Sequence, residues 1–221
     1  MVWTVASRGP PRAISLAAAS RMSLLVNLAG RPIARSSPAS SLPSAPGTGH
    51  IPGRQDAGTG DPALDHADAV VFGCPTYMGG PSAVFKAFAE ASLQAWLDNL
   101  RWRDKVAAGF THSQAMSGDK LNTLQYFTIL AAQHGMHWVN LDLYPGWCSQ
   151  DSSIKDHNRL GAWLGVMSQS NREVEDASLN EGDLRTASYL GRRVATVTWQ
   201  LARGRVATRT TNAVSDTSMV S

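Results

Sequence analysis

The chain is short of cysteine, of acidic residues near its start and of long apolar runs, and each shortage closes off a class of function. Its two cysteines, Cys74 and Cys148, form neither a CxxC pair nor any metal spacing. That argues against a disulfide scaffold and for a reducing compartment, the cytoplasm. His112, His134 and His157 are too scattered to suggest a metal site. No stretch approaches the roughly 20 apolar residues that span a bilayer. Residues 1–60 contain no lysine and one acid, Asp56, against six arginines (Arg8, Arg12, Arg21, Arg31, Arg35, Arg54). They carry +5 while the whole chain carries +3, so residues 61–221 come to −2. The basic character belongs to this arm, and the body has no evident polyanion-binding surface, which speaks against nucleic acid.

What is present divides the 221 residues into a low-complexity arm (1–60), one domain (61–203) and a polar tail (204–221), the arm and tail expected to be disordered. The arm admits three readings: an Arg- and Ser-rich import presequence with a short helix over Ala13–Ala29, a plain tail, or a stretch read out of frame. Gly47-Thr48-Gly49-His50 has the look of a phosphate-binding turn, but no strand precedes it, and a Gly/Pro-rich coil is the expectation.

The body opens with the stretch that organises it. Ala69–Gly73 is a continuous apolar run suited to a buried strand. Cys74–Gly80 should end it, since proline cannot donate to a ladder, and Pro81 should start a helix running to Leu100. Lys105–Phe110 reads as a second buried strand, followed by a polar loop from Thr111 to Gly118. Asp119 then offers an N-cap for a helix with Leu121, Leu124, Ile129 and Leu130, closed by Gly135. Met136–Leu143 reads as a third strand, Tyr144–His157 as a long loop of functional type, and Leu184–Leu201 as a last helix. Alternating strands and helices predict an α/β/α domain with a parallel sheet.

Ala67-Asp68-Ala69-Val70-Val71-Phe72-Gly73 followed by Pro75-Thr76-Tyr77-Met78-Gly79 resembles the flavin loop of flavodoxin-like NAD(P)H:quinone oxidoreductases, the WrbA-like proteins and their NADPH-dependent FMN reductase relatives. The resemblance runs from about Leu64 to Arg203. It implies a flavodoxin-like fold, here with the N-terminal strand and phosphate loop degenerate or missing. It also implies FMN as cofactor, NAD(P)H as co-substrate, a quinone-type acceptor and a homo-oligomer, dimer or tetramer. FMN would be held by Pro75, Thr76, Tyr77, Met78 and Gly79, and by a second loop of His112, Ser113, Gln114, Ala115, Met116 and Ser117. That second loop departs from the glycine- and threonine-rich run of the quinone reductases and is similar to the relatives' S-x-x-x-G-D-K-L. His134 matches the family's histidine beside the flavin, or is a histidine interacting with helix-end carbonyls. Trp96 matches an aromatic residue over the substrate pocket, often contributed across a subunit interface, or packs in the core. Cys74 reads as a small buried hydrophobe, and Asp156-His157-Asn158-Arg159 as a structural turn with Arg159 pairing an acid. Hydride transfer through a flavin requires no protein nucleophile, so no catalytic residue is assigned. The alternative is a flavodoxin-like remnant that binds no FMN and has no activity. A response-regulator-like module would want an acidic cluster at the strand ends, which the chain lacks.

Overall fold

The computed structural model describes residues 2–5, 62–171 and 179–218; the expectations for Ala13–Ala29 and Gly47–His50 lie outside them. Two central strands, β2 (Ala69–Tyr77) and β4 (Val106–Ser113), run parallel from Ala69 opposite Val106 to Pro75 opposite His112. A short helix, α1 (Pro62–His66), leads into β2. β1 (Val2–Val5) lies antiparallel along β2, with Val2 opposite Phe72 and Val5 opposite Ala69. Within the arm expected to be disordered there is thus a strand, though reversed relative to its neighbour. On the far side of β4, β5 (His137–Trp138) takes the level of Val106–Ala107, and β6 (Val166–Gln169) takes Phe110–Ser113, both parallel.

Alternation along the strands sorts the core into two layers. Ala69, Val71, Ala108, Phe110 and Val166 face Ala187, Leu190 and Val194 of α5 (Glu181–Ser218). Val70, Phe72, Cys74 and Ala107 face Phe85 and Ala89 of α2 (Ala83–Ala91), Ala95 of α3 (Leu93–Leu97), and Leu124, Phe127 and Leu130 of α4 (Lys120–Gln133). This is the flavodoxin-like three-layer arrangement: helix, sheet, helices.

Several expectations need adjustment. β2 does not stop before Pro75; it continues to Tyr77, because Pro75 lies past the Ala69–Phe72 segment that pairs with β1. Pro81 does not begin a helix. It sits in a two-residue strand, β3 (Gly80–Pro81), folded back on Thr76–Tyr77, and Ser82 caps α2 by accepting from the Phe85 N–H. The expected long helix breaks at Ser92, whose Oγ donates to Ala89 O. Asp119 makes no side-chain cap; with Gly118 it forms two successive left-handed residues that swing the chain into α4. Leu121 and Ile129 are exposed, the buried face of α4 being Leu124, Phe127 and Leu130. The third strand shrinks to His137–Trp138 because β6 occupies the rest of that edge of β4. The last helix runs through Ser218, past the start of the expected tail. Gly135, with φ 68°, follows α4 as expected.

Candidate functional site

The register of the parallel strands sets Pro75 beside His112 and His112 beside Ser168. The turns after β2, β4 and β6 therefore leave one rim of the sheet, the carboxyl edge, where open α/β sheets take ligands. A cluster of three threonine hydroxyls ties the first two together. Thr76 Oγ1 lies 2.7 Å from Thr111 Oγ1 and 2.8 Å from Thr123 Oγ1, and Thr111 Oγ1 donates to Cys74 O. Asn122 Nδ2 donates to Gly79 O at 2.6 Å. Met78 and Gly79, both left-handed (φ 50° and 78°), form the tip of the first turn. There Met78 is fully exposed and Tyr77 48% exposed; Met116, on the second turn, is 50% exposed. Apolar side chains crowd this rim in contact with solvent, an arrangement suited to covering a flat, largely apolar ligand.

Below the rim the second loop stands on buried charge. Lys120 is completely buried, and its Nζ donates to Ser113 Oγ, Ala115 O and Met116 O at 2.9, 2.7 and 3.0 Å. Burial brings its pKa down to about 8; Asp183 pulls the other way, and Arg159 adds to the depression. His112, also buried, lies between Ser168 Oγ (3.0 Å from Nδ1) and Ser170 Oγ (3.2 Å from Nε2). Burial, with the Lys120 charge, brings its pKa down to about 4. Arg159 holds Asp183 through two 2.7 Å bonds, as the expected structural turn requires, and also donates to Gln169. Gln169 Nε2 in turn donates to Gln114 O at 2.9 Å.

A pH dependence follows from His112. Its folded pKa lies below its unfolded value, so between those values the unfolded chain binds more protons. Stability is then lost as pH falls from about 6.5 through 4, by roughly 3 kcal/mol in all. Urea titrations at pH 7 and 4.5 are expected to show this loss, and H112Q to reduce it; an equal loss in both proteins would rule out His112 as its source.

Of the residues singled out from sequence, Pro75–Gly79 and His112–Ser117 come together. Trp96 and His134 do not join them. His134 follows α4, whose fourteen residues carry the chain about 21 Å from the rim. Its neighbour Gly135 accepts from Asp104 N beside the start of β4, so His134 belongs to the amino edge. There it is buried against Trp102, with Nε2 2.8 Å from Ser92 Oγ. Trp96, 45% exposed, shares with His134 a groove of about 560 Å³ that Lys86, Glu90, Tyr126 and Gln133 also line. Cys74 is buried, and burial raises its thiol pKa, as befits a packing residue. Among the described residues no cluster of three or more His, Cys, Asp or Glu could hold a metal, and no helix is long and apolar enough to cross a membrane.

Thr123, Gln169 and Asp183 went unnoticed in the sequence, and Lys120 stood out only as the lysine of the S-x-x-x-G-D-K-L resemblance. A further signal was available at Lys120, since a cation in the first turn of a helix opposes the macrodipole and calls for another reason to be there.

Residues 42–144 match the family model described as NADPH-dependent FMN reductase. Over 138 residues the chain is 42% identical to Flavodoxin FldP of Pseudomonas aeruginosa, covering 62% of this chain and 74% of that protein. It is 31% identical to an NAD(P)H dehydrogenase (quinone) of Archaeoglobus fulgidus, covering 62% and 63% of the two chains. For the protein of that name from Geotalea uraniireducens the identity is 29%, over 63% of this chain and 66% of the relative. The chain thus spans slightly less than two thirds of these two quinone dehydrogenases. A crystal structure of the flavodoxin, WrbA-like protein from Agrobacterium tumefaciens is 45% identical, covers 63% of this chain and 71% of its own, and superposes with a TM-score of 0.48. By its 42% identity over 74% of Flavodoxin FldP and its match to the NADPH-dependent FMN reductase model, the chain belongs to the flavodoxin-like FMN reductase family.

Proposed function

We propose that the chain binds FMN at the carboxyl edge of its sheet and transfers a hydride from NAD(P)H to a quinone-type acceptor. The observation that carries this reading is the pairing of two loops, Pro75–Gly79 and His112–Ser117, on register-matched parallel strands, with Tyr77, Met78 and Met116 exposed at their tips. The chemistry FMN supplies when bound is two-electron transfer between a nicotinamide and an acceptor. The chain's own part is to position and to exclude water. Thr76 locks the first loop to β4 and α4 through its hydroxyl partners. Backbone N–H groups of both loops would hold the ring's polar edge, and the exposed Tyr77, Met78 and Met116 would cover its faces. No side chain acts as nucleophile.

Trp96 and His134 enter this reading through a second copy. They lie together at the amino edge of their own chain, so in a dimer or tetramer their groove would face a neighbour's acceptor. Trp96 would cover it. His134, whose buried Nδ1 has no hydrogen-bond partner among the described residues, would stand behind it in the wall of the groove, held by Ser92 and Trp102. We place such an enzyme in the cytoplasm.

One observation favours a second reading, a flavodoxin-like chain that holds no FMN. Because β1 is antiparallel to β2, its last residue, Val5, lies opposite Ala69 at the amino edge. That is the edge opposite the two flavin loops, whereas a phosphate held at the carboxyl edge needs donors there, and each charge-assisted bond lacking is worth about 1.5–3 kcal/mol. The purified protein decides between the two. Yellow protein releasing FMN on denaturation, with NAD(P)H oxidation that depends on added quinone, is the expected result. Colourless protein whose melting temperature does not rise in saturating FMN would establish the second reading.

A further inference from the structure

We infer that Lys120 is a positioning residue for the FMN loop, its buried ammonium setting the path of Ser113–Met116 and so the affinity for the flavin. This rests on the reading of that loop as part of the FMN site. A protonated lysine has three N–H donors, and Lys120 has three acceptors in the loop: Ser113 Oγ, Ala115 O and Met116 O. Two of them are backbone carbonyls, which the ammonium draws inward toward the root of α4. Carbonyl and N–H point in roughly opposite directions across a peptide plane. Pulling the Ala115 and Met116 carbonyls under the loop therefore turns the N–H groups of Met116 and Ser117 toward the rim, where a flavin carbonyl would accept them. The neighbouring backbone leaves little room for another path: a side-chain carbon at Gly118, φ 54°, would fall 2.2 Å from Ser113 Oγ.

A loop of small polar residues has little packing of its own; Gln114, Ala115, Met116 and Ser117 are all exposed. The ammonium beneath thus replaces the hydrophobic contacts that usually fix a loop. The titratable and charged groups around it are Asp183 from α5, Arg159 from the loop before β6 and His112 from β4, the last of them neutral; the adjacent Asp119 is exposed. Deprotonation leaves Lys120 two N–H groups for three acceptors, so one loop acceptor loses its partner. With the lysine pKa brought down to about 8, this happens well below the range of an ordinary lysine.

The test is an FMN titration of the full chain, followed by quenching of flavin fluorescence, from pH 6.5 to 9.5. Wild type is expected to bind uniformly up to about pH 7.5 and then to lose roughly tenfold in affinity across pH 8–9, the scale of one hydrogen bond to a charged group. K120Q is expected to bind at least about tenfold more weakly at pH 7, with a flat profile. K120R, whose guanidinium does not titrate in this range, is also expected to be flat. If K120Q fails to fold, the wild-type profile and K120R carry the result. FMN binding that is independent of pH in wild type and unchanged in K120Q overturns the role of Lys120 and leaves the FMN site standing. Absence of FMN binding by wild type at every pH overturns the site itself, and this inference with it.

Discussion

Replacing Arg159 by methionine is expected to cost about 3–5 kcal/mol and to lower the melting temperature by roughly 10 °C. The Arg159–Asp183 pair is nearly sealed, with 1% and 2% of the two side chains exposed. Removing the guanidinium leaves the carboxylate with the Gln169 N–H, whose nitrogen is 2.9 Å from Oδ2, in place of three donors. Burial already pushes the Asp183 carboxyl toward its neutral form, opposed chiefly by Arg159, so the variant should bind a proton at Asp183 as it folds. The loss should also reach the rim. Arg159 bonds Gln169 through both its main-chain and side-chain oxygens, and Gln169 holds Gln114 O in the second loop. The check is a double-mutant cycle by urea denaturation, in which R159M/D183L should recover much of the loss. A double variant as unstable as the sum of its singles would mean that the pair acts independently.

The second large effect is expected from Gly165→Ala. A methyl group at this position would lie 2.3 Å from the carbonyl oxygen of Gly109 and 3.1 Å from Leu124 Cδ2. The first is main chain in the middle of β4 and cannot rotate aside. Either β6 moves away from β4 or β4 bends into α4, at about 3 kcal/mol or more. Moving β6 would also draw Ser168 from His112 and Gln169 from Gln114. The variant should therefore lose both stability by denaturation and affinity for FMN. Normal behaviour in both would show that the strands have slack at this contact.

The residues explain why some features could be read in advance and others not. Ala69–Gly73 and Lys105–Phe110 were legible as buried strands because both faces are covered, leaving unbroken apolar runs. The turns after them were legible because Gly79 and Gly118 punctuate the chain, whereas Pro75 misled, lying within β2. The pairing of Arg159 with an acid could be foreseen, but its partner, 24 residues on in Asp183, is a tertiary fact without local pattern. The direction of β1 was equally hidden: Val2–Val5 is a short apolar segment whose orientation depends on β2, not on its own sequence. His134 shows the limit of motif matching. Its Gln-His-Gly context identifies a helix end, while the length of α4 decides which rim of the sheet that end reaches. Ser92 ended a helix early because its hydroxyl is committed to Ala89 O and His134, an interaction that helical periodicity cannot encode.

The division of one side of β4 between two short strands also bears on how the molecule avoids its own kind in the unfolded-to-folded traffic of a cell. β5 contributes two residues and β6 four, and the chain makes its long excursion between them. An incoming strand therefore meets two stubs instead of a continuous ladder of free main-chain groups. The most apolar strands of the protein are shielded from end-on growth into fibrils on that side.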